Sequence, residues 1–171
     1  LEDIDGDGKY DRSAIFAENQ PWPTALFWYG GGLLVGATPD ILYLKDTNGD
    51  GQADQTEVLF TGFAAGQERL NVQALLNSFV WGLDNRIHGA TSSSGGRIET
   101  KRHPESAALD LRGRDFVIEP RAMSLASEAG GGQHGLCFDN QGRRFTCHNS
   151  DHIRLFVYDA RGKLAGVALC I

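Results

Sequence analysis

The sequence predicts an all-β fold of short antiparallel strands, arranged in repeating units of about forty residues. Three observations carry this. Runs rich in aromatic and branched residues alternate with Gly, Asn, Asp and Pro turns along most of the chain. Its 171 residues include 22 glycines, which suits a protein built largely of turns and strand ends. An acidic glycine loop, D-x-[D/N]-G-D-G-x-x-D, occurs twice, starting at Asp3 and at Asp46.

The elements follow in order. Residues 24–29, 33–37 and 41–45 are apolar runs broken by Gly or Pro and read as strands. Residues 58–61 follow the second acidic loop. Residues 79–83, 86–90 and 97–100 come next, then 116–119, 135–139, 143–148 and 153–159. Turns of one kind join several of them: Asp84-Asn85-Arg86, Asp139-Asn140-Gln141-Gly142-Arg143 and Asp159-Ala160-Arg161-Gly162-Lys163. Residues 68–77 break the pattern and read as a short helix or a connecting loop, and residues 104–108 as one helical turn.

Strands at this spacing predict four-stranded β-propeller blades. Residues 10–45 supply one blade, 54–100 a second and 107–158 a third, with the last residues beginning a fourth. A ring needs about 4–8 blades, so the expectation is an incomplete ring, three to four blades of six. The whole chain, 1–171, then forms one segment of a longer propeller, closed by self-association or by the remainder of the ring. A β-sandwich is the alternative. The chain opens inside an acidic loop and ends on apolar residues 167–171, which also reads as a region of something longer.

Composition narrows the function. The net charge of -6 and the scattered basic residues argue against a nucleic-acid partner. No apolar stretch approaches the roughly 20 residues that span a bilayer. Cys137, Cys147 and Cys170 have no metal-type spacing and read as buried free thiols, with a disulfide as the alternative.

The acidic loops carry the clearest chemistry. Oxygen side chains at alternate positions converge on one hard cation, and glycines permit the tight turn. In the first loop the candidate calcium ligands are Asp3, Asp5, Asp7, Asp11 and the carbonyl of Lys9. In the second they are Asp46, Asn48, Asp50, Asp54, the carbonyl of Gln52, and Glu57 at the twelfth position. Ala14 stands at the twelfth position of the first loop. The flanks of the second loop are strand-like, so it reads as a β-hairpin connection rather than an EF-hand. The same residue types also build ordinary turns; the repeated spacing favours calcium.

Two further segments are dense in reactive groups. Residues 130–135 (GGGQHG) present His134 among glycines that let a backbone approach a ligand closely, and His134 is the candidate general base. His148, Asn149, Asp151 and His152 follow the next strand. Residues 81–89 place Arg86 either against an anionic ligand or against Asp84, with Trp81 in a packed core and Asn71 and Gln73 upstream along the same connection.

The tandem loops, the run NVQALLNSFVWGLDNRIHGA (71–90) and the run GGGQHGLCFDNQGRRFTCHNSDH (130–152) resemble the membrane-bound dehydrogenases of planctomycetes and verrucomicrobia. The resemblance implies a six-bladed propeller related to quinoprotein glucose and sorbosone dehydrogenases. It implies oxidation of a sugar or alcohol, pyrroloquinoline quinone as cofactor, a cytochrome c acceptor and a periplasmic or other extracytoplasmic location. His134, before Gly135-Leu136-Cys137-Phe138 and Gly142, is similar in placement to the catalytic base of that family; Arg86 and Arg143 are the candidate cofactor-binding cations. No C-x-x-C-H haem motif occurs in this chain. The rival expectation is a non-catalytic, calcium-stabilised propeller that binds carbohydrate or protein. A hydrolase or lyase would need a convergent acid–base pair, which the spacing does not show.

Overall fold

The computed structural model describes residues 1–157 as an all-β architecture of three antiparallel sheets, none of them closed. The first sheet begins with β1 (Pro23–Tyr29), β2 (Gly32–Ala37), β3 (Asp40–Lys45) and β4 (Gln55–Phe63) as a meander. Gly30 and Gly31, with φ of +61° and +78°, form the two-residue turn between β1 and β2. Positive φ at both positions matches the right-handed twist of the flanking strands. In β1 the residues alternate: Ala25 is buried while Leu26 and Trp28 are exposed.

After β4 comes a single 3-10 turn at Val72–Ala74, capped by the Asn71 side chain, which accepts from the Gln73 amide at 3.1 Å. The second sheet has the order β10 (Ser124–Ala129), β9 (Arg114–Glu119), β6 (Ile87–Ala90), β5 (Asn77–Trp81). Between β6 and β9 the chain leaves this sheet. It adds β7 (Gly96–Thr100) and β8 (Leu109–Asp110) to the edge of the first one, beside β4. The third sheet is β11 (His134–Phe138), β12 (Arg144–Cys147) and β13 (Arg154–Leu155). No helix among the described residues is long and apolar enough to cross a membrane.

The main core lies between the first two sheets. Leu34, Ile41, Phe60 and Phe63 meet Leu76, Phe79, Ile87, Phe116 and Ile118. Phe116 packs on Phe63 at 5.4 Å and edge-on to Phe79 at 6.1 Å between ring centres. A Cβ on Gly89 would lie 2.3 Å from the Phe116 ring, so the ring fills the space that a larger residue there would need. On the opposite face of the first sheet, Val35, Ala37, Leu42 and Leu44 form a smaller cluster covered by Phe16 and Ala17.

The structure corrects the expected partition at 10–45, 54–100 and 107–158. β4 completes the first sheet instead of opening a second, because the acidic loop after β3 is a hairpin and returns the chain against it, Lys45 opposite Gln55. β7 likewise belongs to the first sheet, with Phe60 opposite Thr100 and Phe63 opposite Gly96. Gly62 and Gly96 make that pairing possible: a Cβ on either would come within 2.3 Å of a backbone oxygen across the ladder. Residues 104–108 form turns rather than a helical turn. β8 and β10 lie outside the expected strands. Of 153–159, Arg154–Leu155 pairs with β12, while residues 158 and 159, the turn at 159–163, residues 167–171 and Cys170 lie outside the described residues. Cys137 and Cys147 are free but not buried. Both line an open depression on the third sheet.

Candidate functional site

The two acidic loops share one hydrogen-bond scheme. In the first, Asp3 accepts from the amides of Gly6 (2.7 Å) and Gly8 (2.9 Å). In the second, Asp46 accepts from Gly49 (2.6 Å) and Gly51 (2.8 Å). Asp5 and Asn48 accept from the amides of Asp7 and Asp50 at 3.2 and 2.8 Å. Asp7 and Asp50 accept from Lys9 and Gln52, both at 2.8 Å. Asp11 and Asp54 reach back to the amides of Ile4 and Thr47 at 2.8 and 3.2 Å. The four glycines have φ between +77° and +87°, which their neighbours in the loops do not need to adopt.

The same equivalence extends to the frames that hold the loops. The second loop springs from the Lys45–Gln55 pair of β3 and β4, with the Asp54 amide donating to the Lys45 carbonyl at 3.0 Å. The first springs from a bridge between Glu2 and Arg12, with the Asp11 amide donating to the Glu2 carbonyl at 2.8 Å. Each loop is therefore a hairpin cap of the same construction. The second loop also touches the segment that follows the first, where the Ala53 amide donates to the Phe16 carbonyl at 2.8 Å.

The donor set suits calcium. Asp3, Asp5 and Asp11 each bring one carboxylate oxygen to within 4.8 Å of the others. Oxygens across a calcium ion at about 2.3–2.6 Å from it stand about 5 Å apart at most. In the second loop the matching trio is Asp46, Asn48 and Asp54, two carboxylates and an amide oxygen. The amides of Gly51 and Gly49 hold the Asp46 carboxyl below the ordinary carboxylate range, so it stays charged. The twelfth position is engaged elsewhere: both oxygens of Glu57 pair with Arg102 at 2.6 Å. Lys9 Nζ pairs with Asp7 at 3.0 Å.

His134 stands exposed at the start of β11, opposite Cys147. That register puts His148, which follows Cys147, at the same end of the hairpin, where the Asn149 amide donates to the Gln133 side chain at 3.1 Å. Arg143 sits at the other end, four strand residues or about 13 Å away, with its Nε 2.6 Å from Asp139. Arg86 lies on the β5–β6 turn, 3.6 Å from Glu119 and 4.0 Å from Asp84. The two arginine turns adjoin, since a Cβ on Gly142 would lie 3.3 Å from Leu83. An anionic quinone needs free cations and a base at one place. Here the cations are paired and the base is at the far end, so the described structure does not bring these three residues together.

The glycine run before His134 is crowded by the protein itself. A Cβ on Gly130 would stand 2.0 Å from Asp115, and one on Gly132 2.1 Å from Thr146. Asp115 is fully buried and accepts from the amides of Gly131 (2.9 Å) and Thr91 (3.3 Å). Burial raises its carboxyl to about 6, against the opposing pull of the Gly131 amide and Arg144. Trp81 is not a core residue: it is 40% exposed and stacks on Phe27 and Tyr29, each at 5.9 Å. An open apolar depression of about 490 Å³ lies on the third sheet, lined by Leu136, Cys137, Phe145, Cys147, His152 and Ile153.

One cluster escaped the sequence reading. His88, 4% exposed on β6, lies between Glu128 (2.8 Å to Nδ1) and Asp84 (3.0 Å to Nε2). Arg144 of β12 bonds the same Glu128 carboxylate and the Ala129 carbonyl. The only hint in the sequence is a histidine between Ile87 and Gly89 within an apolar strand; its partners come from other elements.

A family model described as a domain of unknown function, DUF7133, matches residues 1–166. The chain belongs to the DUF7133 family. No curated protein and no solved structure matches this DUF7133 chain.

Proposed function

We propose that this DUF7133 chain is a calcium-stabilised part of a β-propeller, in which bound calcium pins two equivalent hairpin turns. The observation that carries this is the repetition of one hydrogen-bond scheme in both loops, with Asp3, Asp5 and Asp11 converging in the first. The consecutive antiparallel sheets support the propeller part of the reading. Calcium here neutralises carboxylates crowded on a tight turn, which is a structural role. Substrate or partner recognition then falls to other surfaces of the full-length protein.

The test is a thermal melt of the full-length protein with calcium and with chelator, repeated for Asp50→Ala. Calcium at a hundredfold excess over its dissociation constant adds about 2.7 kcal/mol for one site. The expected result is a melting temperature several degrees higher with calcium, and a loss in Asp50→Ala seen only when calcium is present. Equal loss in both conditions refutes the reading.

The resemblance to quinoprotein sugar and alcohol dehydrogenases supports a second reading, an extracytoplasmic oxidoreductase with His134 as base and a cytochrome c acceptor. One observation favours it, the exposure of His134 beside His148 at one end of a hairpin. It stands second because the candidate cations are paired at the opposite end. Quinone binding by the full-length protein, compared with His134→Ala, checks it.

A further inference from the structure

We propose that His88 is a doubly protonated clasp that docks the third sheet onto the second, and that the docking loosens when the ring loses one proton. The argument starts from donors and acceptors. Both ring nitrogens face carboxylate oxygens, Glu128 at 2.8 Å and Asp84 at 3.0 Å. An ionised carboxylate only accepts, so each nitrogen must carry its own hydrogen. The ring is therefore an imidazolium, and Arg144 brings a second positive charge to the same Glu128. Two cations and two anions form a neutral set.

The clasp joins separate sheets. His88 and Glu128 lie on β6 and β10 of the second sheet, and Arg144 on β12 of the third. Phe138 of β11 covers the imidazole at 4.8 Å between ring centres, inclined by 64°. The charged groups around it are few: Asp84 and Arg86 on the β5–β6 turn, Glu119 on β9 through Arg86, Asp115 on β9 under the field of Arg144, Glu128 and Arg144. Gly82 closes the remaining side, since a Cβ there would stand 2.6 Å from both His88 Nε2 and Asp84. The junction between the first and second sheets, in contrast, is built mainly on apolar side chains.

The sign of the pH effect follows. Burial favours the neutral ring, but its hydrogen bonds to Glu128 and Asp84 outweigh it and hold His88 above its ordinary value of 6.5. A histidine raised in the folded state contributes stability that is complete below the unfolded value and is lost as pH rises through the folded one. The clasp therefore holds in mild acid and opens toward alkaline pH, the reverse of a histidine that charges to open an interface. Once one nitrogen loses its hydrogen, a lone pair faces a carboxylate oxygen in a buried site.

The experiment is long-range proton–nitrogen NMR of the histidine rings in the uniformly labelled full-length protein, from about pH 6 to about pH 9. Amide-exchange protection of β11 and β12 is measured over the same range. His88, assigned by loss of its signals in His88→Gln, is expected to show two protonated nitrogens at neutral pH. It should lose one only above pH 6.5, the ordinary value for histidine. Protection of β11 and β12 relative to β1–β4 should fall at least tenfold through that titration. Glu128→Gln, a milder change, should move the titration to lower pH. A singly protonated His88 at neutral pH overturns the proposal, and so does protection that stays flat while His88 titrates.

Discussion

Gly130→Ala tests whether the glycine run before His134 exists for the fold or for a ligand. The added Cβ would sit 2.0 Å from Asp115 Cγ and Oδ2, where real Cβ contacts stay beyond 3.0 Å, so the two strands must part by at least 1 Å. Asp115 has no room to yield, being fully buried on β9 and held by the amides of Gly131 and Thr91. Overpacking of this kind costs about 1–3 kcal/mol. Loss of the bonds to a buried carboxylate adds about 1–3 kcal/mol. The expected total is about 2–6 kcal/mol, read from the urea midpoint at unchanged slope. Gly113→Ala is the matched control: its φ is +67° and its Cβ meets open space. The control isolates the left-handed backbone cost of about 1–2 kcal/mol. If Gly130→Ala costs no more than Gly113→Ala, the crowding argument fails and the run is free to serve a ligand.

Two other outcomes follow from the packing and the charges. Phe116→Ala removes the ring that joins Phe63, Phe79 and the gap at Gly89, and should cost about 3–5 kcal/mol in chemical denaturation; a loss under about 1 kcal/mol would mean the two sheets are not packed as described. Asp115→Asn should flatten one component of the pH profile. With its carboxyl raised from 3.8 to about 6, the folded protein binds this proton more tightly than the unfolded chain, so stability rises as pH falls through that window. The component is on the order of 3 kcal/mol at most. Parallel pH profiles for wild type and Asp115→Asn would contradict it.

Local signals were legible in the sequence and long-range ones were not. The strands β1 to β3, β5 to β7, β9, β11 and β12 announce themselves by aromatic and branched residues between turn formers. The acidic loops are legible for the same reason: the carboxylates of the shared hydrogen-bond scheme and the amides they accept from lie within nine residues. β10 carries only one large apolar residue, Leu125, and becomes a strand because β9 offers a full ladder from Arg114 to Glu119. The membership of β4 and β7 depends on pairs such as Phe60 with Thr100, which no window of sequence contains. His88 illustrates the limit for sites. Its three charged partners, Asp84, Glu128 and Arg144, span residues 84 to 144, and only the fold assembles them. Glycines misled in the other direction: 130 and 132 look like freedom for a ligand, and are instead the only residues small enough to lie against Asp115 and Thr146.

The excursion of β7 and β8 has a consequence for how this protein comes apart. These strands belong to the first sheet but are tethered at both ends to β6 and β9, which pair directly with each other. Neither sheet can peel away without dragging the other's chain through the core between them. The two should therefore melt as one cooperative unit. Because Phe60 must find Thr100 before that core is sealed, the unit should also form late and slowly for its size. The third sheet has no such thread. It meets the second sheet through the His88 cluster, the Phe138 ring, the Asn77–Gln133 hydrogen bond and the packing of β11 beside β5, and without shared strands it should be the first part to detach under force, protease or denaturant.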